Sequence, residues 1–512
     1  MNDKAFSNII YNDLTDKQKK FVDTASLSGR SILLTGCAGA GKTLLATMAA
    51  IRLDKKQVPA QFLVFTKMLE KFVRDQFKDT NHIDEDLSGS AQYFHTRSAP
   101  RMRIWECLRD YDAIKKDPNW LSSHKFAKKY HRLSDWEKYG IDSTMTKKEI
   151  ATKVAKSIGV NPEGKTVLID ECQDFEENML IAVKAVSENQ IWLGDATQQI
   201  FGHGMHESHE GFEKLNNDTT LDRHSLDVNF RNPVTIAVLA QYFITANKFD
   251  AIELKEKRDN FLKPITRNQT AISGARNQPN LFIHAESTDH QYDAIAERIK
   301  AIQSKNDGSD SQIVVTHTHL DSVRNIMKQL HKRGVEGKLA IKKYGQRMQD
   351  NFDFKDPKLV LFSTIHSLKG LQFDYLFFPD TEERKIDFES MFKDNKEDDE
   401  WRTGFELSDT EKESIIKNTL FMVFTRAKKR IICSYVDKSD SAVYNRLPAG
   451  IEQDIDNFLF INAGENPIDQ SEQDIDKKMK KIKDDYWPVT GDSDIDDQID
   501  EDEDDDDDDL PF

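Results

Sequence analysis

The chain has 512 residues, enough for two or three domains with their own cores. Its formal charge of −17 is concentrated at one end: residues 491–512 hold fourteen Asp or Glu and no Lys or Arg, so the rest is near neutral, with 72 basic side chains available for local positive patches. These numbers leave nucleic acid open as a partner, while the lack of any apolar run near the ~20 residues of a membrane span excludes a bilayer. The N-terminus lacks a signal-peptide pattern, and four widely spaced cysteines predict neither disulfides nor zinc, which points to a reducing cytoplasm.

In chain order, the first strand-like run is "SILLTG" at 31–36. It leads into "GCAGAGKT", which fits G-x-x-x-x-G-K-[ST] and opens a helical run. A strand, a glycine-rich turn and a helix start are what a phosphate cradle requires. Backbone N–H groups of Gly36, Cys37, Ala38, Gly39, Ala40 and Gly41 would surround phosphate, Lys42 would meet the β and γ oxygens, and Thr43 would reach Mg²⁺. "QFLVFT" at 61–66 is a second strand, and residues 98–155, helical in spacing and without a strand run, read as a helical insertion. "TVLIDE" at 166–171 then ends an apolar strand on two acids: Asp170 would hold the Mg²⁺ shell and Glu171 would polarise the attacking water. "IWLGD" at 191–195 completes this set.

A second set follows with "LFIH" (281–284), "QIVVTH" (312–317), "KLVLFST" (358–364), "DYLFFPD" (374–380) and "RIICSY" (430–435). Strands alternating with longer helical segments predict parallel sheets built from crossover units. The expected fold class is therefore α/β with two tandem domains. The first comprises 1–97 and 156–275 around the insertion at 98–155, and the second spans 276–462. Residues 463–512 read as a linker, with a short helix at 472–484, and a disordered acidic tail.

Eight motifs in order resemble those of superfamily 1 helicases, the UvrD/Rep/PcrA group. They are "LTDKQKKFV" (14–22), the P-loop itself, "VFTKMLEKFVRDQF" (64–77) with "FHTRSAPRMR" (94–103), "VLIDECQD" (167–174), "LGDATQQIFG" (193–202), "VNFRNP" (228–233), "STIHSLKGLQFDYLFFP" (363–379) and "LFMVFTRAKKR" (420–430). The resemblance implies two RecA-like P-loop domains that bind ATP and Mg²⁺. It further implies that Gln18 reads the adenine edge, Phe230 stacks on adenine, Gln198 senses the γ-phosphate, Arg231 touches phosphate and Arg426 is an arginine finger. Single-stranded DNA and single-strand/duplex junctions would meet Phe65, Thr66, Lys67, His95, Phe201, Thr364 and His366. One lysine and two arginines converging on a phosphoryl group fit the charge such a transfer develops. Closure of two domains around the nucleotide would then be a motor stroke on DNA held by backbone contacts and aromatic stacking.

The chain departs from that family's pattern at several points. Leu44 stands where an arginine is usual, Gln372 replaces a glutamate, and His203 takes the place of a base-stacking tryptophan. About twenty-five residues separate Gly334 from Val360, where larger relatives insert a whole domain. The expectation is a stripped motor, an ATP-dependent translocase or helicase of 3′-to-5′ polarity. The alternative is a DNA-stimulated ATPase switch or protein-stripping motor with little unwinding.

The acidic run closes on Leu510-Pro511-Phe512. A solvated tail, or a polyanion folding over a basic groove, would need only the acids. The apolar end resembles the tip of bacterial single-stranded DNA-binding protein. It implies docking on, or competition for, proteins that read that tip, with the ring in an apolar pocket and the carboxylate on a basic side chain.

Overall fold

The computed structural model describes residues 11–464 apart from 65–90, 96–103, 112–138, 161–165, 196–204, 246–278, 305–310, 341–359, 387–407, 454–457 and some single or paired positions. Six strands form the first sheet: β1 Ile32–Gly36, β2 Ala60–Val64, β3 Ala91–His95, β4 Thr166–Ile169, β5 Asn189–Gly194 and β6 Asp222–Leu226. Their order is β3-β2-β4-β5-β1-β6, and every pairing is parallel. Seven strands form the second: β7 Asn280–His284, β8 Ile313–His317, β9 Lys338–Leu339, β10 Val360–Thr364, β11 Phe373–Phe378, β12 Ala427–Tyr435 and β13 Phe458–Asn462. That order is β13-β7-β12-β11-β8-β10-β9, again wholly parallel. The fold is α/β with two parallel sheets, and both lie in one compact unit.

The strands expected from apolar runs all form, because crossover helices cover both sheet faces and favour continuous aliphatic stretches. β4, β8 and β10 are buried at every position. Four further strands were not legible as such. β6 is "DRHSL" with three exposed positions, since an edge strand needs polar side chains to discourage further pairing. β9 has only two residues, and β3 and β13 also lie at sheet edges.

Helix ends follow local chemistry. Thr15 and Gln18 form a capping box at the helix Asp16–Ala25, and Thr146 and Glu149 form another at Lys147–Ser157. The latter, in the segment read as an insertion, packs Ile150, Ala151, Val154 and Ala155 against Ala182 and Val186 of the first domain. Helix Leu320–Lys332 closes in a Schellman turn: Gly334 takes φ +76°, and Val335 N–H donates to the Leu330 carbonyl at 3.0 Å.

The helix Val234–Thr245, "VTIAVLAQYFIT", is apolar nearly all round. Its Ile236, Val238, Leu239, Tyr242 and Phe243 enter the core beneath the second sheet. Phe243 lies 5.3 Å, ring to ring, from Phe424 of the helix Asp409–Phe424. Each such side chain contributes roughly 1.5–3 kcal/mol on leaving water. This packing, reinforced by Asn280 donating to the Thr235 carbonyl at 2.8 Å, fixes the chain leaving the first sheet against the second. Among the described residues no helix is long and apolar enough to cross a membrane.

Candidate active site

The loop after β1 is shaped by two glycines. Gly39 and Gly41 adopt φ of +76° and +88°, which side chains with a Cβ rarely tolerate. A Cβ on Gly39 would stand 2.1 Å from Asn229 Oδ1 and 2.8 Å from Arg231 Cβ. The Gly39 carbonyl also accepts the Phe230 N–H at 3.0 Å, so the loop is locked to "VNFRNP". Gly39→Ala should therefore cost about 1–3 kcal/mol and displace Arg231, read as a lower melting temperature together with lost ATP turnover.

Helix Lys42–Lys55 starts at the end of this loop. Lys42 is buried and donates to the carbonyls of Gly36 at 2.7 Å and Cys37 at 3.2 Å, with Asp195 at 3.9 Å. Thr43 Oγ1 donates to Asp170 Oδ2 at 2.6 Å, joining the loop to the end of β4. Gln18 reaches in from the preceding helix: its Nε2 donates to the Ala40 carbonyl at 3.1 Å, while its Oε1 accepts from Thr15 N–H at 3.0 Å. Ala38 packs on Ala240 and Phe421.

The acid pair sits where β4 ends. Asp170 and Glu171 are both buried, and Glu171 adopts a left-handed φ of 54° that turns its carboxylate into the cleft. Burial, then the charge of Glu171, pushes the Asp170 carboxyl up to about 6. For Glu171 burial acts in the same direction, but Lys369, Arg426 and Lys42 outweigh it and hold the group below its ordinary value. Gln173 links this pair to the next strand, donating to Glu171 Oε2 at 2.7 Å and accepting from Asp195 N–H at 3.0 Å.

The Asp170 shift sets a pH dependence. Its value in the fold, about 6, exceeds the ordinary 3.8, so the fold favours the protonated form. The stability this gives is complete below about pH 4 and is lost as pH rises through 6. Asp170→Asn should raise the metal-free melting temperature at pH 8 and leave it unchanged at pH 4.

Two arginines enter from opposite sides. Arg231 donates through Nε to Gln372 Oε1 at 3.1 Å and through Nη1 to the Thr425 carbonyl at 3.3 Å. Burial, then the like charge of Arg426, lowers it to about 9, which leaves it charged at neutral pH. Arg426 is 1% exposed and anchored by Nε to the Met422 carbonyl at 3.0 Å. Asn232 fastens the two halves here, donating to the carbonyls of Thr425 at 2.9 Å and Ala427 at 2.6 Å.

The result is a cleft of ≈ 470 Å³, open mouth included. Gly39 through Leu44, Glu171 and Arg231 line it from the first half, and Gly370, Gln372 and Arg426 from the second. Backbone amides, three cations and a carboxylate facing one space can bind a polyanionic ester and deliver a base to it. Of the residues singled out from sequence, Gly36, Cys37, Gly39, Ala40, Gly41, Lys42, Thr43, Asp170, Glu171, Arg231 and Arg426 converge on or border the cleft. Gln18 and Ala38 support the loop, and Phe230 is half-buried beside it.

Thr364 and His366 stand elsewhere, at the end of β10 and in the turn Ile365–Leu368, while His95 ends β3 opposite Val64. Phe65, Thr66, Lys67, Gln198, Phe201, Leu510, Pro511, Phe512 and the expected helix at 472–484 lie outside the described residues. Sequence reading missed Asn229, Asn232, Gln173, Asp195 and Lys369. All lie within the quoted motifs, but their work depends on partners distant in sequence. Among the described residues no group of three or more His, Cys, Asp or Glu is arranged to hold a metal.

No protein-family model matches the chain, and no curated protein matches it. Among solved structures it is similar to the C-terminal domain of a possible DNA helicase from Lactobacillus plantarum WCFS1. Identity is 11%, the TM-score is 0.25, and the match covers 45% of this chain and 98% of that one.

Proposed function

We propose that this chain is an ATP-driven motor on single-stranded DNA, built as two RecA-like domains of the superfamily 1 helicase kind. The observation that carries this reading is the convergence of Lys42, Thr43, Glu171, Arg231 and Arg426 on one cleft from segments up to 384 positions apart. Motifs recognised separately along the sequence would have no reason to meet unless they serve one reaction. The strand order supports the RecA-like part: β5 lies between the P-loop strand β1 and the acid-bearing strand β4.

ATP would lie with its phosphates over Gly39–Thr43, on the amides of the helix start. Mg²⁺ suits the donors present, since the Thr43 hydroxyl and the Asp170 carboxylate are hard oxygens 2.6 Å apart in a buried site. Thr43 and Asp170 would hold the ion, which would supply positive charge against that of the phosphates. Glu171, held ionised by neighbouring cations, would accept the proton of the attacking water. Lys42, Arg231 and Arg426 would meet the charge that develops on the transferring group. Because Arg426 comes from the second half, hydrolysis and phosphate loss would weaken closure of the cleft, which is the expected motor stroke.

The test is strand displacement by the full chain on duplexes with 3′ or 5′ single-stranded tails. Unwinding of the 3′-tailed substrate is expected; activity confined to 5′ tails would refute the polarity, and none on either the helicase reading. The short connection between Gly334 and Val360 favours a second reading, a DNA-stimulated switch or protein-stripping motor. DNA-stimulated hydrolysis without strand separation would select it.

A further inference from the structure

A fully buried lysine joins the second sheet to the acid segment of the first. Lys369 follows the turn Ile365–Leu368 and is 0% exposed. Its Nζ donates to the buried Asp174 carboxylate and lies 3.9 Å from Glu171 Oε2. Asp174 belongs to the short helix Cys172–Asp174, which directly follows Glu171. Lys369 therefore stands between two carboxylates of one rigid segment, bonded to one and within reach of the other.

The lysine's own segment also carries the two residues expected to meet DNA. Thr364 begins the turn, its hydroxyl 3.2 Å from Ser367 Oγ, and His366 is half-buried within it. Gly370, with φ +83°, follows Lys369 and lines the cleft, so a glycine in the left-handed region separates the turn from β11. Five residues, 366 to 370, thus connect the expected DNA face, the buried lysine and the nucleotide cleft.

Energetics argue that the pair is not there for stability. Desolvating a lysine and a carboxylate costs several kcal/mol each, and a well-packed apolar pair of similar size is commonly as stable or more so. The buried ammonium is bonded to one carboxylate with a second 3.9 Å away, so two partners are within its reach; an element with two arrangements is what coupling between sites requires. Lys369 can pair with Asp174, as here, or move toward Glu171 when the turn shifts.

Resting on the motor reading above, we propose that Lys369 and Asp174 form the latch through which strand binding at the Thr364–His366 turn reaches Glu171. Lys369 is a positioning residue: fully buried, it acts in this proposal through Glu171. In the latch Asp174 is one partner of the ammonium and Glu171 the other. A strand pressing on the turn moves the ammonium toward Glu171, whose carboxylate is then oriented for the attacking water. Gln173 keeps the other contact of that carboxylate constant.

The test compares ATP turnover with and without saturating oligo-dT in the full chain, for wild type, Lys369→Met, Asp174→Asn and the double variant. Each single change is expected to lower the DNA stimulation ratio at least tenfold while KM for ATP stays within twofold. The double variant should be no worse than either single one, because both remove the same contact. Folded single variants that keep the wild-type ratio, or losses that multiply in the double variant, would overturn the latch. Lys369→Met leaves Asp174 buried alone and is the variant at risk of not folding; the isosteric Asp174→Asn then decides alone. Wild type that shows no DNA stimulation would instead refute the motor reading, so the two failures are distinguishable.

Discussion

Changing Lys42 to Ala is expected to reduce ATP turnover by roughly 10²–10³, the scale of loss when one preorganised donor to a developing negative charge is removed. The side chain is buried and held by the carbonyls of Gly36 and Cys37, at 2.7 and 3.2 Å, so the loop's own backbone fixes its position. Alanine removes the charge and leaves the loop's glycine geometry intact. The melting temperature should therefore change little, which separates this variant from Gly39→Ala. Steady-state phosphate release measures the effect; turnover close to wild type would mean that ATP is hydrolysed elsewhere.

Glu171→Gln is expected to lower kcat by about 10²–10⁴ while ATP binding persists, because the amide keeps the shape of the carboxylate but cannot take a proton. The geometry favours a clean result. The left-handed φ of 54° is a strained conformation for any side chain with a Cβ, and glutamine bears it no worse than glutamate. Gln173 Nε2, 2.7 Å from Glu171 Oε2, can still donate to the new amide oxygen. Lys369 would lose its second carboxylate and remain with Asp174. Single-turnover hydrolysis together with equilibrium nucleotide binding measures the split. A raised KM with unchanged kcat would show that Glu171 binds rather than catalyses.

Much of this site was legible because its residues are local to their motifs. The Gly-rich turn, Lys42 and Thr43 are neighbours in sequence, and the apolar run ending on Asp170 announces a buried strand with acids at its tip. Parallel strands were legible for a related reason, since β4, β8 and β10 each carry three consecutive apolar residues. What was not legible depends on tertiary partners. β6 is polar because it is an edge, which no propensity reveals. The apolar composition of Val234–Thr245 signals burial on all sides, yet not that its partner is the second sheet. Lys369 reads as an ordinary motif lysine until the fold sets it against Asp174, 195 positions away. Gln372 is similar: in sequence it is only a departure from the glutamate of the resembled family, whereas here it accepts from Arg231 Nε at 3.1 Å.

The most direct test of the central claim is Mg²⁺-dependent ATP hydrolysis by the full chain as single-stranded DNA is titrated. The proposed motor predicts a turnover that rises at least tenfold to saturation with DNA and falls by roughly 10²–10³ in Lys42→Ala. Hydrolysis that is absent, or equal with and without DNA, would contradict the assignment of this chain as a DNA-driven ATPase.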